Sequence, residues 1–381
     1  MLGERQPASP VSPNETSMTY ASTGVNYDAM DPLKRLAQLR ARATSGNLER
    51  FDMKEVEASR GESAYVWEEQ DGYRAFVIEG LGTKNKVADE TRKITGRTYY
   101  DAIAQDTVAM IVNDLIVVGA DPQAVNAYFA VGNSDWFADE ERSRDLVEGW
   151  AKATNMAGAV WGGGETPTLK GIIEPDTIDL SGSAIGIVKP KERLTLGDKL
   201  TRGDAIFLVE SSGIHANGLT LVRAIASRLP DGYATLLSDG KSYGESLLTP
   251  TYIYAGLIRD LFEAGIDIHY MVNITGHGWR KLMRANRDLS YIIDKVPEPQ
   301  PVFRFIQEQS GNDDAEMYGN FNMGAGFAIF MPEAGVPLAQ QIAMDNYGLN
   351  TGKAGNVENG QRQVIIRQKS LAYKGEVLGV R

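Results

Sequence analysis

DAIAQDTVAMIVNDLIVVGADP, residues 101–122, carries apolar side chains at i, i+3, i+4 and i+7 through residue 118 and then runs into Gly-Ala-Asp-Pro. The spacing predicts a buried helix with polar residues on one edge, ended by a turn. Asp106 and Asn113 are seven residues apart, close to two helical turns, so they share a face, with Asp114 beside them. Met110, Ile111, Val112, Leu115 and Ile116 surround that face. A carboxylate on such a helix is costly unless it is paired or bound to a metal. Two readings stay open: Asp106 caps or salt-bridges within the fold, or it is an oxygen ligand for Mg2+, which usually arrives with nucleotide phosphates.

Outward from this helix, strands and helices follow one another with glycine turns between. Residues 28–45 read as an amphipathic helix. AYVW (64–67) and AFVIE (75–79), separated by a polar turn, read as a hairpin. Downstream come a strand at 124–131, a charged helix at 139–156, a strand in GAVWGGGETPT that runs into a glycine turn, and a strand at 177–188. Residues 189–204 are charged and turn-rich, which suggests a domain boundary. The second half starts with the strand AIFLVE (205–210), then SSGIHANG, then a helix in LTLVRAIASRL. A helix at about 250–264, the stretch NITGHGWRKLMR, and strand-like YIIDKV and GFAIFMP follow. The expected class is α/β (α+β).

The bulk numbers agree with two domains: 381 residues, 43% of them apolar. A net charge of −11 argues against a general nucleic-acid binder, which needs a basic face. The chain has no cysteine, so thiol nucleophiles, thiolate metal sites and disulfides are excluded. No apolar run approaches about 18 residues, so no membrane span is expected. Residues 1–18 are rich in Pro, Ser, Glu and Asn and read as a disordered tail, not a signal peptide. The simplest address is the cytoplasm.

Three more polar clusters stand out. In EGLGTK (79–84), Gly80 and Gly82 near a strand end let backbone N–H groups approach an anion, with Glu79, Thr83 and Lys84 alongside. The spacing is not that of a Walker loop, and an ordinary strand-to-loop turn is the competing reading. In GGGET (162–166), Glu165 follows Gly163 and Gly164 and precedes Thr166; it is either a metal-directed carboxylate or part of a plain turn. SSGIHANG (211–218) sets Ser212, Gly213, His215 and Asn217 between a strand and a helix, where polar side chains can hydrogen-bond a substrate. A structural histidine is the alternative. His277 in TGHGW lies beside Arg280 and Lys281, which suit a sugar phosphate or simply form a solvated basic helix start.

The succession EGLGTK, QDTVAMIVNDLIVVGADP, GGGETPT, SSGIHANGLTLVR, LLTPTYIY, NITGHGW, EMYGNFNMGAG resembles aminoimidazole ribonucleotide (AIR) synthetase, the phosphoribosylformylglycinamidine cyclo-ligase family of de novo purine synthesis. The early YASTGVNYDA (20–29) resembles that family's N-terminal segment, and the likeness runs from about residue 20 to about 370. The resemblance implies a two-domain AIR-synthase-like fold. Residues 19–190 would be an N-terminal ATP-binding and dimerisation domain with a mixed or antiparallel sheet, and 191–381 a C-terminal α/β sandwich. It implies a homodimer using ATP and Mg2+ on a small phosphorylated substrate, with no nucleic acid or membrane partner.

In that scheme Lys84, Asp106 and His215 are catalytic. Glu79, Gly80, Gly82, Thr83, Lys84, Asn113, Asp114, Gly163, Gly164, Glu165 and Thr166 hold the nucleotide, and Glu79, Asp106, Asp114 and Glu165 the metal. Ser212, Gly213, His215, Asn217, Thr275, Gly276, His277 and Gly278 face formylglycinamidine ribonucleotide. The chain departs from the family pattern at Glu79 (usually Asp), at Ala127 (often Asp) and in TGHGWRKLMR. The departures keep in view a divergent ATP-dependent paralogue such as thiamine-monophosphate kinase, or a non-catalytic nucleotide-binding partner protein. Selenophosphate synthetase and the hydrogenase-maturation dehydratase fit less well, since both use cysteine chemistry that this chain lacks.

Overall fold

Two sheets organise the computed structural model, which describes residues 27–375. The expected tail and most of YASTGVNYDA lie outside the described residues. Helix α1 (Tyr27–Arg42) opens the described chain. The first sheet contains β1 (Lys54–Glu55), β2 (Tyr65–Glu69), β3 (Gly72–Gly80), β4 (Asp121–Val131), β5 (Val160–Glu165) and β6 (Ile178–Val188) in the order β1-β2-β3-β6-β4-β5. It is mixed: β4 and β5 run parallel and the other neighbours antiparallel.

Between these strands lie α2 (Lys84–Thr95), α3 (Tyr100–Ile116) and α4 (Glu140–Ala157). The helix expected at 101–118 is α3, and only its Asp101 and Gln105 are not buried. It packs on β3, β6 and β4, with α4 beside it. Strand β6 alternates buried residues with half-buried or exposed ones, and its buried side carries Gly182 and Gly186. A Cβ on Gly182 would lie 2.7 Å from Ile111 Cδ1, and one on Gly186 3.0 Å from Leu115 Cδ2. Small residues on the strand therefore let the helix settle close to the sheet.

The second sheet has the order β13-β12-β9-β11-β7-β10-β8. Its strands are β7 (Ala205–Glu210), β8 (Tyr270–Asn273), β9 (Leu289–Ile293), β10 (Ala325–Met331), β11 (Thr351–Asn359), β12 (Gln363–Ile366) and β13 (Leu371–Lys374). Only β9 and β12 pair in parallel. Strands β8, β9 and β10 are buried at every position, as continuous apolar runs require when both faces are covered. The accompanying helices are α5 (Leu219–Ala226), α6 (Tyr243–Leu247), α7 (Ala255–Glu263), α8 (Pro301–Ser310), α9 (Asp314–Asn320) and α10 (Val336–Tyr347).

Three local expectations change. GGGE is not a turn: it is the last four residues of strand β5 at the edge of the first sheet. Lys84 begins a helix, since Gly82, at φ +75°, turns the chain just before α2. The helix expected from about 250 starts at Ala255, because Thr249–Tyr254 runs outside helical structure and packs along α3.

Candidate functional site

Lys84 and Asp106 form a buried ion pair, Nζ to Oδ2 2.7 Å, and neither side chain is accessible. Lys84 also donates to Thr249 O at 3.1 Å. Asp106 Oδ1 accepts from Thr251 N at 2.9 Å and from the Thr251 hydroxyl. One α-helical turn pair further on, Asn113 donates to Tyr252 O at 2.8 Å and accepts from Tyr254 N at 3.0 Å. The polar edge of α3 thus satisfies the backbone of a segment from the second half of the chain. Burial lowers the Lys84 ammonium and raises the Asp106 carboxyl, each opposed by the partner's charge. Buried in this way, Lys84 does not face an open phosphate cradle.

Asp114 and Glu79 make a separate carboxylate pair. Asp114, on α3, accepts from Asn273 Nδ2 on β8 at 2.6 Å. Burial, and then the charge of Asp114, push the Glu79 carboxyl up to about 7, opposed by Lys281 and Arg284. Lys281 is bonded to the Thr275 hydroxyl and to Asn273 O at 3.4 Å, and its ammonium is lowered by burial. A buried carboxylate whose charge reaches a half-buried one suits a divalent cation, and Mg2+ commonly takes one or two carboxylates plus phosphate oxygens. Asp106 is committed to Lys84 and Thr251, and Glu165 is exposed at the sheet edge. Hence the four expected metal ligands do not converge: among the described residues no group of three or more metal-binding side chains is found. Gly80, Gly82, Gly163, Gly164 and Thr166 are likewise exposed.

The loop after β7 carries the histidine. His215 sits at φ +59° with its ring buried. Its Nε2 accepts from Ser212 N at 3.3 Å, so the neutral ring carries its proton on Nδ1, a buried donor with no partner among the described residues. Burial, and then the charge of Lys84, lower its pKa to about 3. At neutral pH it is therefore a hydrogen-bond donor and a poor proton acceptor. Ser212 Oγ donates to Pro250 O at 2.6 Å. Asn217 Oδ1 accepts from Gly276 N at 2.9 Å, joining this loop to the Thr275–Gly278 turn, and Asn217 Nδ2 is buried without a partner among the described residues.

In that turn His277 lies at φ +72°, and burial, Arg280 and Lys281 lower its pKa to about 4. Arg280 donates to Gly319 O at 2.6 Å and to His277 O at 3.2 Å. Both cations expected to meet a phosphate are therefore engaged by the protein. Thr251 and Asn273 are not singled out in the sequence; Lys281 is, beside Arg280, but as a partner for a sugar phosphate rather than for Thr275 and Asn273.

Comparison with known proteins follows the same lines. The models "AIR synthase related protein, N-terminal domain" and "C-terminal domain" match residues 61–188 and 201–368. A phosphoribosylformylglycinamidine cyclo-ligase of Methanothermobacter thermautotrophicus is 35% identical over 322 residues, covering 83% of this chain and 88% of its own. The protein so named from Methanocaldococcus jannaschii is 36% identical, covering 83% and 85%. Among solved structures, AaThiL complexed with AMPPCP and TMP superposes with a TM-score of 0.60 at 14% identity, over 92% of this chain and 97% of that one. A Thermotoga maritima PurL complexed with FGAR gives 0.55 at 16% identity, over 84% and 48%. These structural likenesses speak for the fold.

Proposed function

The chain belongs to the AIR synthase family of phosphoribosylformylglycinamidine cyclo-ligases, and from that membership we propose that it closes the ring of aminoimidazole ribonucleotide from formylglycinamidine ribonucleotide at the expense of ATP. ATP phosphorylates the formyl oxygen, the neighbouring nitrogen attacks the activated carbon, and phosphate leaves as the ring closes, with ADP as the second product. An amide-like oxygen leaves poorly and a phosphate well, so catalysis rests on positioning and charge neutralisation.

The observation that carries this reading is the pair of buried N–H donors without partners among the described residues, His215 Nδ1 and Asn217 Nδ2, on one loop beside the Thr275–Gly278 turn. Buried donors left open are costly unless a ligand oxygen meets them. Glu79 and Asp114 are the residues that would hold Mg2+, which when bound neutralises phosphate charge in transfer. Asn273 fixes Asp114 in place. Lys84 and Asp106 act by positioning, since their ion pair anchors Thr249–Thr251 beside the loop that Ser212 joins through Pro250 O. We further propose a homodimer formed through the outer face of the first sheet. No helix among the described residues is long and apolar enough to cross a membrane.

The test is a coupled assay for ADP and for the imidazole product with formylglycinamidine ribonucleotide and ATP. Production of both at matching rates is the expected result. Turnover of ATP only with another phosphorylated acceptor, such as thiamine monophosphate, would move the kinase-like paralogue to first place.

A further inference from the structure

Of Lys84, Arg280, Lys281 and Arg284, the fold commits three away from the Glu79–Asp114 pair. Lys84 is closed in its ion pair with Asp106. Arg280 donates to Gly319 O and His277 O. Arg284 clasps the loop before β2: Nε and Nη2 donate to Gly61 O at 3.1 and 2.9 Å, and Nη1 donates to the Ser63 hydroxyl at 2.8 Å. Glu62 of that loop lies 3.6 Å from Arg284 Nε and accepts from the Tyr270 hydroxyl at 2.9 Å. Lys281 is different. It is half-buried in the stretch Gly278–Met283, where the chain departs from the family pattern. Asn273 joins it to the acid pair: Nδ2 donates to Asp114 Oδ1 at 2.6 Å, and the backbone O of the same residue accepts from Lys281 Nζ at 3.4 Å. The Thr275 hydroxyl is the other acceptor. Both acceptors are neutral oxygens, so neither cancels the ammonium charge. Burial lowers the Lys281 ammonium, opposed by the charge of Asp114 and, beyond it, of Glu79 and Glu62.

We propose that Lys281 is a built-in counter-cation of the metal pair, which weakens the site for a free divalent ion and strengthens it for a polyphosphate. Its ammonium offsets part of the carboxylate charge of Glu79 and Asp114. A divalent ion arriving alone then leaves the site cationic, whereas an ion arriving with a polyphosphate leaves it balanced. The divalent ion therefore enters together with the nucleotide. The effect is one of charge, acting over the span of Asn273, and requires no contact between Nζ and either ligand. A purely structural lysine, tying β8 to the Thr275–Gly278 turn, is the competing role. Loosening that tie disorders Asn273 and Thr275 and weakens both ligands. Removing the charge moves the two affinities in opposite directions. The inference rests on the proposed function in taking Glu79 and Asp114 as the carboxylates that hold the ion.

Two binding measurements on the full chain test this without reference to turnover. Electron paramagnetic resonance follows Mn2+ without nucleotide, and titration calorimetry follows AMPPCP in the presence of EDTA. Lys281→Met should tighten Mn2+ about threefold or more and weaken AMPPCP about threefold or more. Lys281→Arg, which keeps the charge, should hold both within about twofold of the wild type. Should Lys281→Met not fold, by circular dichroism, Lys281→Gln takes its place, since it keeps an N–H donor for Thr275 and removes the charge. Asp114→Asn should abolish Mn2+ binding. If it does, a neutral variant that shifts both ligands in the same direction, or neither, overturns the inference alone. So does an arginine variant that behaves like the methionine one. Mn2+ binding that survives in Asp114→Asn would instead remove the metal assignment, and the inference with it. An enzyme without cyclo-ligase activity that shows the opposed shifts would keep the role of Lys281 and lose only the assigned reaction.

Discussion

Lys84 and Asp106 carry opposite charges into a place without water, and each is tolerable only because of the other. Lys84→Met should destabilise by about 3–5 kcal/mol, since it leaves a buried carboxylate unpaired. Lys84→Met with Asp106→Leu should recover much of that loss. Urea unfolding of the single and double variants measures the difference. A double variant as unstable as the single would show that the pair is not the source.

Glu79 titrates in the opposite sense to His215 and His277. Its folded pKa of about 7 stands above the ordinary 4.5, so the folded chain binds the extra proton between those values, and stability falls as pH rises through them. His215, lowered from 6.5 to about 3, binds its proton more readily in the unfolded chain, so its contribution rises with pH across that window. In the absence of Mg2+, Glu79→Gln should therefore gain on the wild type by about 1–2 kcal/mol between pH 5 and 7. Denaturation midpoints at pH 5, 6 and 7 provide the check, and a constant difference would mean that Glu79 keeps an ordinary carboxyl.

At the scale of elements, periodicity was a good guide where one face meets the core. Helix α3 was legible because its apolar residues recur at helical spacing, and the hairpin of β2 and β3 because a polar turn separates two β-rich runs. Strand β5 was not: three successive glycines signal a turn, and only pairing with β4 holds them extended. The start of α2 was hidden by the resemblance of Gly-Leu-Gly-Thr-Lys to an anion loop. Glycine has a different task at the start of α5, where Gly218 adopts φ +78° and a Cβ would stand 2.1 Å from Phe321 Cε1. Gly218→Ala should cost about 2–4 kcal/mol from backbone strain and overpacking together. Thermal unfolding measures it, and a loss below about 0.5 kcal/mol would mean that Phe321 and the loop move aside freely.

For the whole molecule, the outer face of the first sheet is the surface most in need of a partner. Ile78 is 70% exposed, Phe76 42% and Val160 63%, while Ala75 and Val77 on the other side of β3 are buried. A sheet face of this kind marks an association surface. Ile78→Arg should convert the proposed dimer to monomer in light scattering after size-exclusion chromatography, and a wild type that is already monomeric would remove the dimer from the proposal. The sequence by itself determined the order of elements, the family and the loops on which polar residues stand, because hydrophobic period and turn chemistry act over a few residues. Only the tertiary structure decided which partner each acid meets. Asp106 meets Thr251 across 145 residues and Asp114 meets Asn273 across 159, and spacing along a chain carries no record of contacts closed over such distances. The buried ion pair with Lys84 set Asp106 apart from Glu79 and Asp114, which the resemblance had grouped together, because a carboxylate taken out of water is held by whichever cation the fold brings to it.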